Sequence, residues 1–579
     1  MPSSLKISIG QCSYSGVKAI NQDCYGALFP EEPQLRLKGI ATAIADGIST
    51  SNVSQIASEV AVKSFLDDYF CTTDAWSVRR SAEKVIESVN AWLFSQNQKT
   101  EFKYDMDKGY VCTFSAIVFK AFTAHIFHVG DSRIYRLRDG ALSQLTNEHR
   151  SYVSSTENYL NRALGFEEYV DIDYQASSLK LHDIFLMCTD GVYEYCEPHE
   201  ILSTLTAYSS DLDKAAELLV NRAIENGSND NLTAQIIRVE KLATERASLL
   251  QKQLDDLSVP DLLTARQNFD GYHILRELHA SSRSHVYLAQ DTESQTLQVI
   301  KIPSVDLRND QAYLERFLME EWVARRVNSA HLLKAGMQDR TRNYLYCVTE
   351  YIEGVTLKQW LIDHPKPTLD QVRHIIEQIS FGLHALHRKE ILHQDIKPDN
   401  IMIDNAGVVK IIDYGGVRVS GVVESQTLRQ QYDMQGTALY MAPEYFIGDN
   451  VSTRSDQFSL AVLTYNMLSG QFPYGTNVAK ARSFSAQKKL RYRSVLDDEK
   501  EVPKWIDYAL QKALSPFPHK RYDQLSEFIY DLKHPNPKFV KKFKAPLIER
   551  KPLLFFKGLS IILILLVLGL LIYINNLTA

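Results

Sequence analysis

The sequence predicts an α+β multidomain chain that ends in a single transmembrane helix. Three patterns carry this reading. Residues 4–240 mix strand-like alternation with helical periodicity. Residues 269–533 open with β-rich segments and then turn helical. Residues 553–574 form an apolar run. At 579 residues the chain exceeds one ordinary domain. Its 45% hydrophobic and 23% charged content is ordinary globular composition. A net charge of −6 argues against a dedicated nucleic-acid binder. The seven cysteines form no C-x-x-C pair, which suggests reduced thiols in a cytosolic compartment.

In the first block, Ser115–Leu145 alternates apolar and polar residues, with Asp139-Gly140 as a hairpin turn. Helical patterns cover Val53–Tyr69 and Ala82–Phe94. Residues 241–268 read as a linker. Leu250, Leu254 and Leu257 share one helical face there, and Pro260 marks its end. The second block starts with VYLAQD, LQVIKI and YLYCVTEY, so a small sheet-rich lobe is expected before a larger helical one. The N-terminal MPSSLKISIG lacks the apolar stretch of a signal peptide. Gly558–Ile574 is uncharged and long enough for a bilayer, and Lys557 can snorkel to the headgroups. The preceding segment, 534–552, is basic (Lys538, Lys541, Lys542, Lys544, Arg550, Lys551). Positive flanks stay inside, so a single-pass anchor in a bacterial inner membrane is expected, with both large domains in the cytoplasm. Gly558 and Gly569 would admit a close helix contact and hence a dimer, although the spacing is not G-x-x-x-G.

Several aspartates of the first block stand where a buried strand stops: Asp46 in AIADGIST, Asp131 after IFHVG and Asp190 after IFLMCT. Asp23 in NQDCYG and Asp230 in GSNDNLTA lie in turns. A carboxylate at such a place needs a compensating charge. Mg²⁺ or Mn²⁺ supplies it through oxygen ligands. The ordered set NQD, ADG, HVGDSR, LTNEHR, RALG, CTDG and GSNDN resembles the type 2C, metal-dependent Ser/Thr phosphatase family. That resemblance implies two antiparallel sheets sandwiched between helices, an αββα fold. It implies that Asp46 bridges two ions, that the Gly47 carbonyl binds one, and that Asp190 and Asp230 bind the other. Asp23 would act through water, and Asp131 would help hold a third ion. Lys18 stands where the family usually has an Arg for the substrate phosphate, and Lys lacks the bidentate fork. Gln22 replaces the usual Glu, and Ile48-Ser49 follows Asp46-Gly47 where small residues are common.

In the second block, LHQDIKPDNIMI and KIIDYGG put Asp395, Lys397, Asn400 and Asp413 on neighbouring loops. Phosphoryl transfer needs such positioning and charge neutralisation. The segment resembles the protein kinase superfamily and implies a bilobal fold that binds ATP and Mg²⁺. By that resemblance Lys301 grips the ATP phosphates, with Glu320 as its helix partner and Glu321 as the alternative. Asp395 orients the substrate hydroxyl, Lys397 stabilises the γ-phosphate, and Asn400 and Asp413 hold Mg²⁺. Glu444 of Ala442-Pro443-Glu444 is expected to pair with Arg521, and Asp456 to brace the catalytic loop. Two departures stand out. His279, Ser281 and Ser284 replace the glycines of the nucleotide loop. Gln394 replaces the Arg before the catalytic Asp, so constitutive or partner-controlled activity is expected without a need for loop phosphorylation, while Ser420, Ser425, Thr427 and Thr437 of the activation segment are candidate autophosphorylation sites. The combined expectation is a bifunctional enzyme acting on Ser/Thr of protein substrates, or a phosphatase carrying an ATP-binding pseudokinase scaffold.

Overall fold

The computed structural model describes residues 5–152, 158–242, 257–336, 340, 342–420, 437–449, 451–496, 502–536 and 552–578. Most of the expected linker helix, Ser425, Thr427 and most of the basic segment lie outside them. The chain divides into two compact units, one of residues 1–360 and 381–434, the other of 361–380 and 435–579.

The first unit begins with strands β1 (Lys6–Tyr14), β2 (Asp23–Leu28), β3 (Ile40–Asp46), β4 (Phe114–Lys120), β5 (Thr123–Val129), β6 (Arg133–Arg138) and β7 (Ala141–Gln144). A hairpin follows, β8 (Arg150–Tyr152) and β9 (Asn158–Leu160), then β10 (Asp173–Ser178), β11 (Ile184–Cys188) and β12 (Leu232–Lys241). Two antiparallel sheets result, ordered β1-β12-β11-β6-β7 and β10-β5-β4-β3-β2. Side chains alternate across a strand, and β11 shows the consequence. Phe185 and Met187 enter the inter-sheet core with Ile44, Ile117 and Phe119. Leu186 and Cys188 point the other way, into a core with Leu219 and Val220. Helices cover the outer faces: α1 (Ser54–Cys71) and α2 (Val78–Lys99) over one sheet, α3 (Pro198–Ala207) and α4 (Leu212–Glu225) over the other. Ala57, Ala61, Phe65 and Tyr69 of α1 repeat every four residues and are fully buried.

A third sheet, β13-β14-β15-β16-β17, belongs to the same unit. Its strands are β13 (Asn268–Phe269), β14 (Tyr272–Ala280), β15 (Ser284–Asp291), β16 (Leu297–Pro303) and β17 (Cys347–Glu350), with helix α5 (Gln311–Arg326) between the last two. Short strands β18 (Gly354–Thr356), β19 (Ile391–Leu392), β20 (Ile401–Asp404), β21 (Val409–Ile411) and β22 (Arg418–Val419) frame the loops that carry Asp395 and Asp413. Helix α6 (Leu369–His387) is shared between the units. In the second unit, α7 (Thr453–Ser469) is buried on nearly every side, Asp456 included. A Ser452 capping box starts it. Around it lie α8 (Lys504–Ala513) and α9 (Leu525–Lys533). Glu444 and Arg521 pair at 2.7 Å, both essentially without exposure. A buried charge of this kind is tolerated only with such a partner.

The expected transmembrane helix requires correction. Helix α10 (Pro552–Thr578) forms over that segment, but no helix among the described residues is long and apolar enough to cross a membrane. The single-pass anchor and the inner-membrane location inferred from it fall with this finding.

Lys38, just before β3, is buried with its ammonium donating to Thr72 Oγ1 and Thr73 O, both at 2.7 Å. Burial pushes it down to about 7, against the pull of Asp74. Between that value and the ordinary lysine range the unfolded chain holds a proton that the folded chain releases, so stability rises with pH. The prediction is that resistance to urea increases from pH 7 to 9, and that Lys38→Met flattens this increase. An unchanged slope in the variant would contradict it.

Candidate active sites

The five aspartates of the first block meet at one end of the two sheets. Asp23 opens β2, Asp46 ends β3, Asp131 follows β5, Asp190 follows β11 and Asp230 precedes β12. Asp23 and Asp46 sit directly opposite each other in the β2–β3 ladder, where like charges destabilise a sheet. Thr189 and Thr233 donate to Asp23 Oδ2 at 2.9 and 2.7 Å. Its Oδ1 is buried without a hydrogen-bond partner. Burial, with the neighbouring carboxylates, pushes Asp190 up to about 7 and Asp46 well above the usual range. Burial alone accounts for most of the rise of Asp23 to about 6. The chain to Asp131 turns at Gly130, whose φ is +112°. A Cβ there would lie 2.5 Å from Thr113 Cβ, so only glycine fits.

Two cations answer these charges. Lys18 pairs with Asp230 and donates to Ser49 Oγ at 2.7 Å. Arg150, on β8, donates to Asp131 at 2.5 Å and to Asp190 at 2.8 Å, and also reaches Glu194. Among the described residues, no group of three or more His, Cys, Asp or Glu is arranged to hold a metal ion. Arg150, Thr189 and Thr233 escaped the sequence reading. The only signal for Arg150 was a charge directly after His149 in LTNEHR. Gln22 turns away from the carboxylates. Its amide donates to Ser51 O and Ser54 Oγ, both at 2.7 Å, and fixes the loop after Gly47.

In the second block, Lys301 of β16 lies 2.6 Å from Glu320 and 3.2 Å from Asp413. The two carboxylates hold its ammonium charged despite burial. Burial works against the Asp413 charge, yet Lys301 and the Gly415 N–H bring it down to about 2. Burial raises Glu320 to about 7. The alternative partner, Glu321, points elsewhere: Arg342 and Arg325 enclose it, Arg325 at 2.8 Å. One residue along a helix turns the side chain about 100°, and that separates the two glutamates. Asp395 Oδ2 accepts from Lys397 and Asn400, both at 2.8 Å. Gly415 and Gly416 thread between these groups. A Cβ at Gly415 would lie 3.0 Å from the Glu320 carboxylate, and one at Gly416 3.1 Å from Asp395 Cβ.

The nucleotide loop without glycines is a tight serine-capped turn between β14 and β15. Ser281 Oγ accepts from the N–H groups of Arg283 and Ser284 at 3.3 and 3.1 Å. The Arg283 carbonyl in turn accepts from Tyr313 Oη of α5. Gln394 is buried with φ at +66°, an uncommon conformation for a side chain of its size.

Residues 272–538 match the family model of the protein kinase domain, and residues 14–235 that of protein phosphatase 2C. Two successive stretches of the chain thus match a 2C-type protein phosphatase domain and a protein kinase domain. Over 268 residues the chain is 29% identical to the serine/threonine-protein kinase PrkC of Bacillus subtilis, covering 45% of this chain and 40% of that protein. Over 203 residues it is 30% identical to PknL of Mycobacterium tuberculosis, covering 35% of this chain and 50% of that protein. It thus spans at most half the length of either relative. A solved serine/threonine phosphatase of S. agalactiae is 24% identical, covers 41% of this chain and all of that one, and gives a TM-score of 0.36. The catalytic domain of PstP with two manganese ions is 23% identical over 41% of this chain and all of that one, with a TM-score of 0.34. Likeness at that level adds nothing to the fold described above.

Glu321 and Arg342 form a buried pair behind the kinase sheet. Arg342→Ala leaves the carboxylate with Arg325 alone and is predicted to destabilise the chain by about 1–3 kcal/mol, read by urea unfolding. Glu321→Met with Arg342→Met is predicted to lose less, and an equal or larger loss in the double variant would contradict this.

Proposed function

We propose that the two domains are opposed enzymes acting on protein Ser/Thr residues, one adding phosphate from ATP and the other hydrolysing it. What carries the kinase half is the assembled group of Lys301, Glu320 and Asp413 beside Asp395, Lys397 and Asn400. A pseudokinase usually lacks one of these parts. On this reading Lys301 grips the nucleotide phosphates and Glu320 fixes the lysine. Asn400 and Asp413 would hold Mg²⁺, which neutralises phosphate charge. Asp395 accepts the proton of the substrate hydroxyl, and Lys397 meets the charge that develops on the transferred phosphoryl group. The Ser281-capped turn replaces glycine flexibility with a fixed shape, since its hydroxyl already occupies two backbone N–H groups that a phosphate would use.

The phosphatase half rests on the five clustered carboxylates, Asp131 buried and the others half-buried. The donors fit hard divalent cations: all are oxygens, Asp23 Oδ1 has no partner, and four of the carboxyls, Asp23, Asp46, Asp131 and Asp190, are pushed upward, burial being the largest cause. Asp46, the Gly47 carbonyl, Asp190, Asp230 and, through water, Asp23 would hold two Mn²⁺ or Mg²⁺ ions, with Asp131 contributing to a third. Such ions supply charge neutralisation and an activated water at neutral pH. Thr189 and Thr233 keep Asp23 oriented. Lys18, now paired with Asp230, would meet the substrate phosphate, and Asp131 and Asp190, now paired with Arg150, would be shared with the cations.

The full chain carrying Asp46→Ala, incubated with Mg·ATP, is predicted to gain phosphate by intact mass, and adding Asp395→Ala is predicted to abolish the gain. Bound ATP with no phosphate gained would instead favour a phosphatase fused to an ATP-binding pseudokinase scaffold.

A further inference from the structure

Helix α5 has two working faces. Tyr313, Phe317 and Glu320 repeat at helical spacing along one stripe and face the kinase centre. There Tyr313 Oη donates to the nucleotide-loop carbonyl of Arg283, and Glu320 holds Lys301. Glu315, Trp322 and Arg326 form a second stripe, about 140° round the helix from Glu320. Trp322 and Arg326 of that stripe are buried, and Glu315 at its start is half-exposed. The stripe meets the phosphatase domain. Arg326 is buried and donates to Asp68 of α1 and Ser88 of α2, both at 2.7 Å. Trp322 packs on Trp76 at 5.7 Å between ring centres. Arg80 of α2 pairs with Glu315 at 2.8 Å.

A second seam lies next to the catalytic loop. Glu390 immediately precedes β19 and accepts from Lys99 and Ser95 of α2 at 2.7 and 3.0 Å. Lys389 reaches the free oxygen of Asp68 at 3.7 Å. One buried carboxylate of the phosphatase domain therefore bears on both α5 and the entry to the Asp395 loop. These are the parts of the kinase whose placement decides whether Lys301 and Asp395 are aligned.

We propose that the phosphatase domain is a built-in positioning element for the kinase. Through Asp68 and Arg326 it holds α5 in the orientation that pairs Glu320 with Lys301. This rests on the kinase reading above, and it concerns the phosphatase surface rather than its carboxylate centre. Asp68 and Arg326 are positioning residues, since neither touches a reacting group. Kinase turnover then depends on a face of the phosphatase domain that lies away from phosphate hydrolysis. Loosening that face weakens the kinase while hydrolysis continues.

The test uses the full chain. Self-phosphorylation is followed by intact mass against Mg·ATP concentration in the Asp46→Ala background. Hydrolysis of p-nitrophenyl phosphate with Mn²⁺ is followed with Asp46 intact, and amide exchange is followed over 311–326. Asp68→Ala and Arg326→Ala are expected to lower kinase kcat/KM for ATP at least tenfold and to speed exchange in 311–326. Hydrolysis is expected to stay within twofold, which also shows that the phosphatase domain is folded. Arg326→Lys is expected to keep most of the activity, and Asp68→Arg with Arg326→Asp to recover part of what either reversal alone loses. Kinase rates within twofold of the parent in both alanine variants would overturn the proposal. If the parent transfers no phosphate, the kinase reading fails by itself. Mg·ATP affinity then decides: weakening in Asp68→Ala supports the positioning role, and unchanged affinity overturns it.

Discussion

A carboxylate taken out of water must be answered by a cation or by protonation, and both centres of this chain are solutions to that constraint. In the kinase domain one ammonium, Lys301, answers two carboxylates, Glu320 and Asp413. Asp413 keeps its charge there: against burial, Lys301 and the Gly415 N–H hold it down to about 2. In the phosphatase domain five carboxylates are answered by Lys18 and Arg150. The same logic governs the supports. Glu444 with Arg521, Glu321 with Arg342, and Asp68 with Arg326 are buried pairs, each fixing a loop or helix that carries chemistry.

Much of the architecture was legible because it obeys short-range rules. Strand alternation through Ser115–Leu145 became β4 to β7, with Asp139-Gly140 at the turn. Helices α1 and α2 lie close to the expected segments, since their apolar residues recur at helical spacing. The ladder that sets Asp23 against Asp46 was not legible, because strand pairing is a long-range choice. The decision between Glu320 and Glu321 also needed coordinates. Both suit the helix, and only the position of β16 selects one. Arg150 was missed for a related reason: its neighbours in sequence say nothing about Asp131 and Asp190, which approach it from distant strands. The C-terminal segment was read from hydropathy alone, and among the described residues no helix is long and apolar enough to cross a bilayer.

Joining opposed activities in one chain does more than raise their local concentration. Helix α5 shows how. Its kinase face and its phosphatase face are rigidly related because they are stripes of the same helix. On the proposed positioning role, a change in how α1 and α2 sit on the sheet behind them would reach Glu320 through this helix. A separate phosphatase diffusing to the same substrate would have no such influence.

The most direct test of two opposed centres is a chase experiment on one molecule. The full chain is loaded with phosphate by Mg·ATP, ATP is removed, Mn²⁺ is added and the intact mass is followed. Loss of the phosphate from the unmodified chain and its retention in Asp46→Ala is the predicted result. Equal retention in both, or equal loss in both, would contradict the account.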